Sequence, residues 1–277
     1  MWWPADHAAS DPPYAVVIFL YGGSWSSGDK HLYALLAREL SRHCVVVVPN
    51  YSLYPQCGID GMLADVDRAI EWAAASCGTW NGDPSKLYLV GHSAGAHLAM
   101  LAAMRRQTRL TAPLLADDAP PLVAPFATDC APPLVVPSAP APIRGVIGLS
   151  GVYDIGAHFA FESGRGVEEI SAMGRAMGGP ARFDACSPRF LAATQRPINM
   201  PRTLLIHGAS DVVVPPSSSE CLWAALKQAG AETELQILPD GSHSEPVIAL
   251  MHRSHPRHFL ILSRIKDFTN DVRSRIR

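Results

Sequence analysis

The sequence predicts an α/β fold, a mostly parallel sheet with helices packed on both faces. Three observations carry this reading. Short apolar runs recur at 16–20, 44–48, 87–90, 146–149, 203–206 and 234–238. Stretches with apolar residues at helical spacing separate them. The joins are rich in glycine, proline and small polar residues. Continuous apolar strands between amphipathic helices indicate a parallel sheet buried on both sides. At 277 residues and 48% hydrophobic content, one domain over 1–277 with a packed core is the expectation.

The elements follow in order. Residues 16–20 read as a buried strand, and Leu32, Leu35, Leu36 and Leu40 mark one face of a helix. The nearly all-valine run 44–48 is a second strand. Leu63, Val66, Ile70 and Ala73 mark a second helix. Strand 87–90 runs directly into the turn Gly91-His92-Ser93-Ala94-Gly95, and Leu98, Leu101 and Ala102 share a side of the helix after it. The alternation breaks over 113–142, where dense proline and alanine block helical and ladder hydrogen bonds. That stretch reads as an irregular surface insertion, with a partial lid as the alternative. Strand 146–149 resumes the pattern, and 158–188 reads as a small cap-like segment. Then come strand 203–206, a helix over 217–228 with serines placed to cap its start, strand 234–238 and a terminal helix over 259–272.

The composition excludes several classes. A formal net charge of -2 with no basic stripe argues against nucleic acid or an anionic membrane as partner. The six cysteines, at 44, 57, 77, 130, 186 and 221, include no C-x-x-C pair and read as free thiols. No apolar run approaches the roughly 20 residues of a membrane span. Met1-Trp2-Trp3-Pro4 lacks the charged start and apolar stretch of a leader. A cytoplasmic protein is the simplest reading.

The chemistry concentrates at strand ends. A serine hydroxyl is a weak nucleophile that needs a base in reach, and the base needs an acid to orient it. Ser93 sits in a G-x-S-x-G turn between a strand and a helix, the setting of a nucleophile elbow. Tyr21-Gly22-Gly23-Ser24-Trp25 follows the first strand, and backbone N–H groups of such a loop can face a developing oxyanion. Gly22, Gly23 and Ser24, with Ala94 after the nucleophile, are the candidate oxyanion-hole residues. Acid and base should follow in chain order serine, acid, histidine. Asp211 lies in His207-Gly208-Ala209-Ser210-Asp211 after strand 203–206, and His243 in Gly241-Ser242-His243 after strand 234–238. Both leave the same end of a parallel sheet as Ser93, where sites form.

Rivals are weaker. Of the 11 histidines, His92 and His97 are too near Ser93 on its own turn and helix to act as its base. His207 reads as packed or hydrogen-bonded, and His252, His255 and His258 as a solvated turn rather than a metal site. Asp154, after strand 146–149, is the serious rival to Asp211.

Taken together these residues resemble the α/β-hydrolase group that includes carboxylesterases, kynurenine formamidases and isoprenylcysteine methylesterases. The resemblance covers residues 16–243. It rests on Gly22-Gly23-Ser24-Trp25, Asn50-Tyr51-Ser52-Leu53-Tyr54-Pro55, Gly82-Asp83-Pro84, Gly91-His92-Ser93-Ala94-Gly95-Ala96-His97, Ser150-Gly151-Val152-Tyr153-Asp154 and His207-Gly208-Ala209-Ser210-Asp211. Within 158–188, Ser163-Gly164-Arg165-Gly166 and Ser187-Pro188 look most like the methylesterase branch. The resemblance implies the α/β-hydrolase fold and a serine esterase acting through an acyl-enzyme, with catalytic Ser93, Asp211 and His243 and no metal or organic cofactor. The implied substrate is a small-molecule or lipidated-peptide ester, such as a prenylcysteine methyl ester. The alternatives are a kynurenine formamidase-like amide hydrolase and a non-catalytic ligand-binding homologue. One departure is that the oxyanion loop usually begins His-Gly-Gly, and Tyr21 stands where that histidine would be. Another is that the plant methylesterases carry membrane-spanning segments before the catalytic domain.

In this fold two strands normally precede the strand leading to the oxyanion loop. Here that strand starts about fifteen residues in, and Met1-Trp2-Trp3-Pro4 resembles the tail of the second. The valine run 44–48 would then lie at or near the sheet edge, a template for aggregation. The expectation is a sheet lacking the first two strands and a longer, better-folded product, which could carry a membrane segment.

Overall fold

The computed structural model describes residues 1–4, 12–111, 141–194 and 200–270. The insertion read at 113–142 falls, except for its last two residues, outside them. Six parallel strands form one sheet in the order β2-β1-β3-β4-β5-β6. They are β1 Tyr14–Leu20, β2 Val45–Val47, β3 Gly82–His92, β4 Ile143–Leu149, β5 Arg202–Gly208 and β6 Thr233–Leu238. The apolar runs predicted as strands each fall within or across one of them.

The helices are α1 Ala34–Leu40, α2 Ile59–Ser76, α3 Ala94–Thr111, α4 Ile155–Gly164, α5 Met173–Ala176, α6 Pro188–Thr194, α7 Ser217–Gln228, α8 Glu245–Met251 and α9 His258–Thr269. From β1 to β2 the chain steps one way along the sheet; every later crossover steps the other way. Right-handed crossovers therefore put α1 on one face and α2, α3 and α7 on the opposite one. The packing agrees: α8 touches α1 and α9, while α2, α3, α6 and α7 form a second chain of contacts. With both faces covered, Val16 to Leu20 and Leu87 to Val90 are wholly or almost wholly buried. The reversal of direction lies between β1 and β3, a topological switch point.

The edge strand β2 is covered in part. Trp2 forms an antiparallel bridge with Val46, with N–H···O contacts of 2.9 and 2.8 Å in the two directions. Met1-Trp2-Trp3-Pro4, read from the sequence as the tail of a second strand, meets β2 through this bridge. Between β4 and β5 the cap-like segment comprises α4, α5, two short 3₁₀ turns (Pro180–Arg182 and Asp184–Cys186) and the start of α6. Among the described residues no helix is long and apolar enough to cross a membrane.

Three local expectations need correction. Leu32 and Leu35 are 68% and 50% exposed, and the buried face is Leu36, Ala37 and Leu40. Asp29 caps a 3₁₀ turn, Lys30–Tyr33, ahead of α1; its tighter winding throws the first leucine out of phase. The serines of α7 do not cap it. Ser218 Oγ accepts the Tyr153 N–H at 3.0 Å, and Ser219 Oγ lies 2.7 Å from His207 Nδ1. His258 is not solvated but fully buried, its Nδ1 donating to the Ala249 carbonyl at 2.8 Å.

Candidate active site

Each candidate residue stands at the carboxyl end of a strand. β3 ends at His92, α3 begins at Ala94, and Ser93 between them has φ +54°. A non-glycine residue in this left-handed region is held there by its surroundings. Its N–H is tied to the Leu149 carbonyl at 2.9 Å, and its carbonyl accepts from Ala96 and His97 at 3.0 and 3.1 Å. Gly95 must be glycine, because a Cβ there would lie 2.1 Å from the Leu20 carbonyl oxygen. The elbow thus presses against the end of β1, where the second loop starts.

That loop lies directly over the serine. A Cβ at Gly22 would fall 2.9 Å from the Ser93 Cβ. Gly23, Ser24 and Trp25 follow at φ +141°, +51° and +60°. Among the described residues no hydrogen bond takes the N–H of Gly23 or Ser24, and Ala94 N–H is an unpaired donor at the start of α3. Tyr21, standing where the resemblance expects histidine, stacks against Tyr51 at 4.6 Å and Tyr33 at 5.8 Å. The Tyr51 hydroxyl donates to the Tyr21 carbonyl at 2.8 Å. An aromatic stack thus supports the loop in this chain.

Asp211 and His243 meet across adjacent loops. His243 Nδ1 lies 2.7 Å from Asp211 Oδ2, while Asp211 Oδ1 accepts the Val213 and Val214 N–H groups, both at 2.9 Å. His207 Nε2 reaches the same Oδ2 at 3.1 Å and the Val214 carbonyl at 3.0 Å. A carbonyl can only accept, so this nitrogen carries the proton, and Nδ1 accepts from Ser219. Burial would raise the Asp211 pKa, but the hydrogen bonds from His207 and His243 outweigh it and hold the carboxyl well below the usual range. The loops are tied together where Ser210 N–H donates to the Gly241 carbonyl at 2.9 Å.

Asp154, the rival acid, is occupied elsewhere. Its Oδ1 caps α4 through the Ala157 N–H at 2.9 Å, and its Oδ2 pairs with Arg189 at 2.5 Å. Sequence reasoning set aside the flanking histidines, yet they are built into the site. His97 accepts the Trp25 indole N–H at Nδ1, 3.2 Å, and donates from Nε2 to the Cys186 carbonyl at 2.7 Å. It joins the loop over Ser93 to the cap, and burial pushes its pKa down to about 4. On α4, His158 is buried with Nε2 3.5 Å from Glu162 and its pKa pushed to about 4, first by burial and then by its electrostatic interaction with His243. Phe159 turns into the cap against Phe183, ring centroids 5.3 Å apart, while Phe161 stacks on His158 under the Arg165 guanidinium. Arg165 also donates to the Val212 carbonyl at 2.8 Å, fastening the cap beside Asp211.

The probable isoprenylcysteine alpha-carbonyl methylesterase ICME of Oryza sativa subsp. japonica is 30% identical over 237 residues, covering 84% of this chain and 52% of that protein. Esterase LipQ of Mycobacterium tuberculosis (strain ATCC 25618 / H37Rv) is 29% identical over 268 residues, 94% of this chain and 56% of that protein. The chain thus spans about half the length of these curated relatives. Among solved structures, inhibited esterase B from Lactobacillus rhamnosis superposes with a TM-score of 0.75 at 18% identity, covering 99% of this chain and 81% of that one. Esterase 2 of Thermogutta terrifontis gives 0.67 at 21% identity, over 98% and 88% of the two chains. These likenesses establish the α/β-hydrolase fold. The BD-FAE family model matches residues 5–226, and the chain belongs to that family.

Proposed function

We propose that the protein is a serine esterase that hydrolyses carboxylic esters through an acyl-enzyme. The observation that carries this is the Asp211–His243 pair, closed at 2.7 Å, beside an elbow that holds Ser93 at φ +54°. Asp211 fixes the His243 tautomer by accepting the Nδ1 proton, which leaves Nε2 as the base. In this mechanism His243 Nε2 takes the Ser93 hydroxyl proton as Oγ attacks the ester carbonyl. The carbonyl oxygen becomes an oxyanion held by the N–H groups of Gly23, Ser24 and Ala94, under the close approach of Gly22. Each such donor is worth about 10²–10³ in rate. The tetrahedral intermediate collapses, and the leaving alcohol takes the proton from His243. A water, deprotonated by His243, then attacks the acyl-enzyme and frees the acid and Ser93.

The rice and mycobacterial relatives are esterases by name, which supports the ester class. The substrate is the finer proposal: the ester of a small alcohol on an acyl part with a long apolar chain, as in a prenylcysteine methyl ester. Phe159 does not support it, since the ring packs on Phe183. Val212 and Val213, 71% and 45% exposed beside Asp211, supply apolar surface instead. The preference should be graded, because a pocket discriminates about 1–3 kcal/mol per methylene. A hydrolysis panel of prenylcysteine methyl ester, N-formylkynurenine and nitrophenyl esters of increasing acyl length tests this. Faster turnover of N-formylkynurenine than of any ester would move the protein to amide hydrolysis.

A further inference from the structure

The residue before the nucleophile is bonded to the residue proposed as base. His92 Nε2 lies 3.1 Å from the backbone carbonyl of His243, and the two rings stand 4.9 Å apart, tilted by 47°. Because that carbonyl can only accept, Nε2 carries the proton. His92 is buried, and its other nitrogen, Nδ1, has no hydrogen-bond partner among the described residues. That bare nitrogen faces the oxyanion loop: a Cβ on Gly22 would lie 2.9 Å from it. One imidazole thus sits where the serine, the loop over it and the histidine loop converge.

We propose that His92 is a positioning residue that sets the His243 loop at working distance from Ser93. The inference rests on the esterase reading. Two hydrogen bonds hold His243 among the described residues: its ring to Asp211 and its carbonyl to His92. The first fixes the tautomer but lets the ring swing about the carboxylate. The second ties the main chain of the base to the last residue of β3, immediately before the nucleophile. With both, the base moves with the serine.

The chemistry of the donor fits the task. A lysine or arginine here would place a permanent cation against the imidazolium that forms on His243 in the transition state. Burial, and then the electrostatic interaction with His243, depress the His92 pKa to about 4. It stays neutral when its neighbour ionises and supplies an N–H without opposing charge. A hydroxyl side chain would be too short to reach the same carbonyl.

Three replacements at this position separate positioning from mere packing. His92→Gln puts an uncharged amide N–H at nearly the reach of Nε2. His92→Asn is one methylene shorter and does not reach. His92→Phe keeps the ring and loses the donor. Steady-state kinetics on a nitrophenyl ester, with active sites counted by fluorophosphonate titration, give kcat per competent site. The expectation is a loss of about 10–100-fold in kcat for Phe and Asn with KM nearly unchanged, and recovery to within about threefold of wild type for Gln, since misplacement by an ångström can cost about 100-fold. The rate of Ser93 phosphonylation should fall in parallel. If Phe or Asn gives fewer competent sites but wild-type kcat per site, or if Gln is as poor as Asn, the positioning role is wrong. Should Phe fail to fold, the Gln–Asn comparison decides alone. Wild-type enzyme that is not labelled at Ser93 at all would overturn the esterase reading itself, a distinct result.

Discussion

The Trp25 indole N–H donates to His97 Nδ1 at 3.2 Å, with the two rings edge-on at 5.3 Å. Trp25 is the last residue of the strained loop over Ser93, and His97 is one turn into the helix that Ser93 opens. The loop is therefore locked to the elbow from its far side, while the Tyr21 stack locks its near side.

Trp25→Phe should expose the importance of that lock. The change leaves a buried imidazole nitrogen without a donor, a loss of about 1–3 kcal/mol. It also frees Ser24, whose N–H is a proposed oxyanion donor. Thermal unfolding should show the stability loss, and kinetics a fall in kcat larger than any rise in KM. Wild-type kcat in a destabilised variant would mean that the indole only packs.

The two aspartates should separate cleanly. Asp211→Asn should cut kcat by about 10³–10⁴-fold, because the base loses its oriented tautomer. Asp154→Ala should leave kcat per active site near wild type and lower stability by about 0.5–2 kcal/mol, the worth of a helix cap, with the Arg189 pair adding to it. Comparable kinetic damage from Asp154→Ala would reopen the identity of the acid.

Stability should fall on mild acidification. His92, His97 and His158 each have folded-state pKa values pushed down to about 4, by burial first. Unfolded, they titrate near 6.5, so between roughly pH 6.5 and 4 the unfolded chain binds more protons than the folded one. Each unit of depression is worth about 1.4 kcal/mol. Glu162 works the other way, because burial raises its pKa, but it is one group against three. Asp211, held low, adds its loss only at more acidic pH. Urea titrations at pH 7, 6 and 5 check this, and a midpoint unchanged from pH 7 to 5 would contradict it.

Much of this site was legible in the sequence because the topology puts strand ends together. Ser93, Asp211 and His243 each follow a short apolar run, and in a parallel sheet such positions share one rim. Asp211 was separable from Asp154 only by strand order; the structure adds that Asp154 is spent on a helix cap and Arg189. The supporting histidines were harder. His92 and His97 were set aside as too near Ser93 to be its base, and His207 was read as packed or hydrogen-bonded; their bonds to His243, Trp25 and Asp211 span 151, 72 and 4 positions. Only the last is local enough to leave a signal, in His207-Gly208-Ala209-Ser210-Asp211. The serines of α7 misled because a helix-start serine ordinarily caps; here Ser218 and Ser219 are drawn inward by Tyr153 and His207.

In the proposed mechanism Ser93 is a nucleophile activated by His243. Mass-spectrometric mapping of the residue labelled by a fluorophosphonate, in wild type and in His243→Ala, tests it most directly. One adduct is expected, on Ser93, formed quickly in wild type and slower by several orders of magnitude when His243 is replaced. Labelling on another residue, or Ser93 labelling at an undiminished rate without His243, would contradict it.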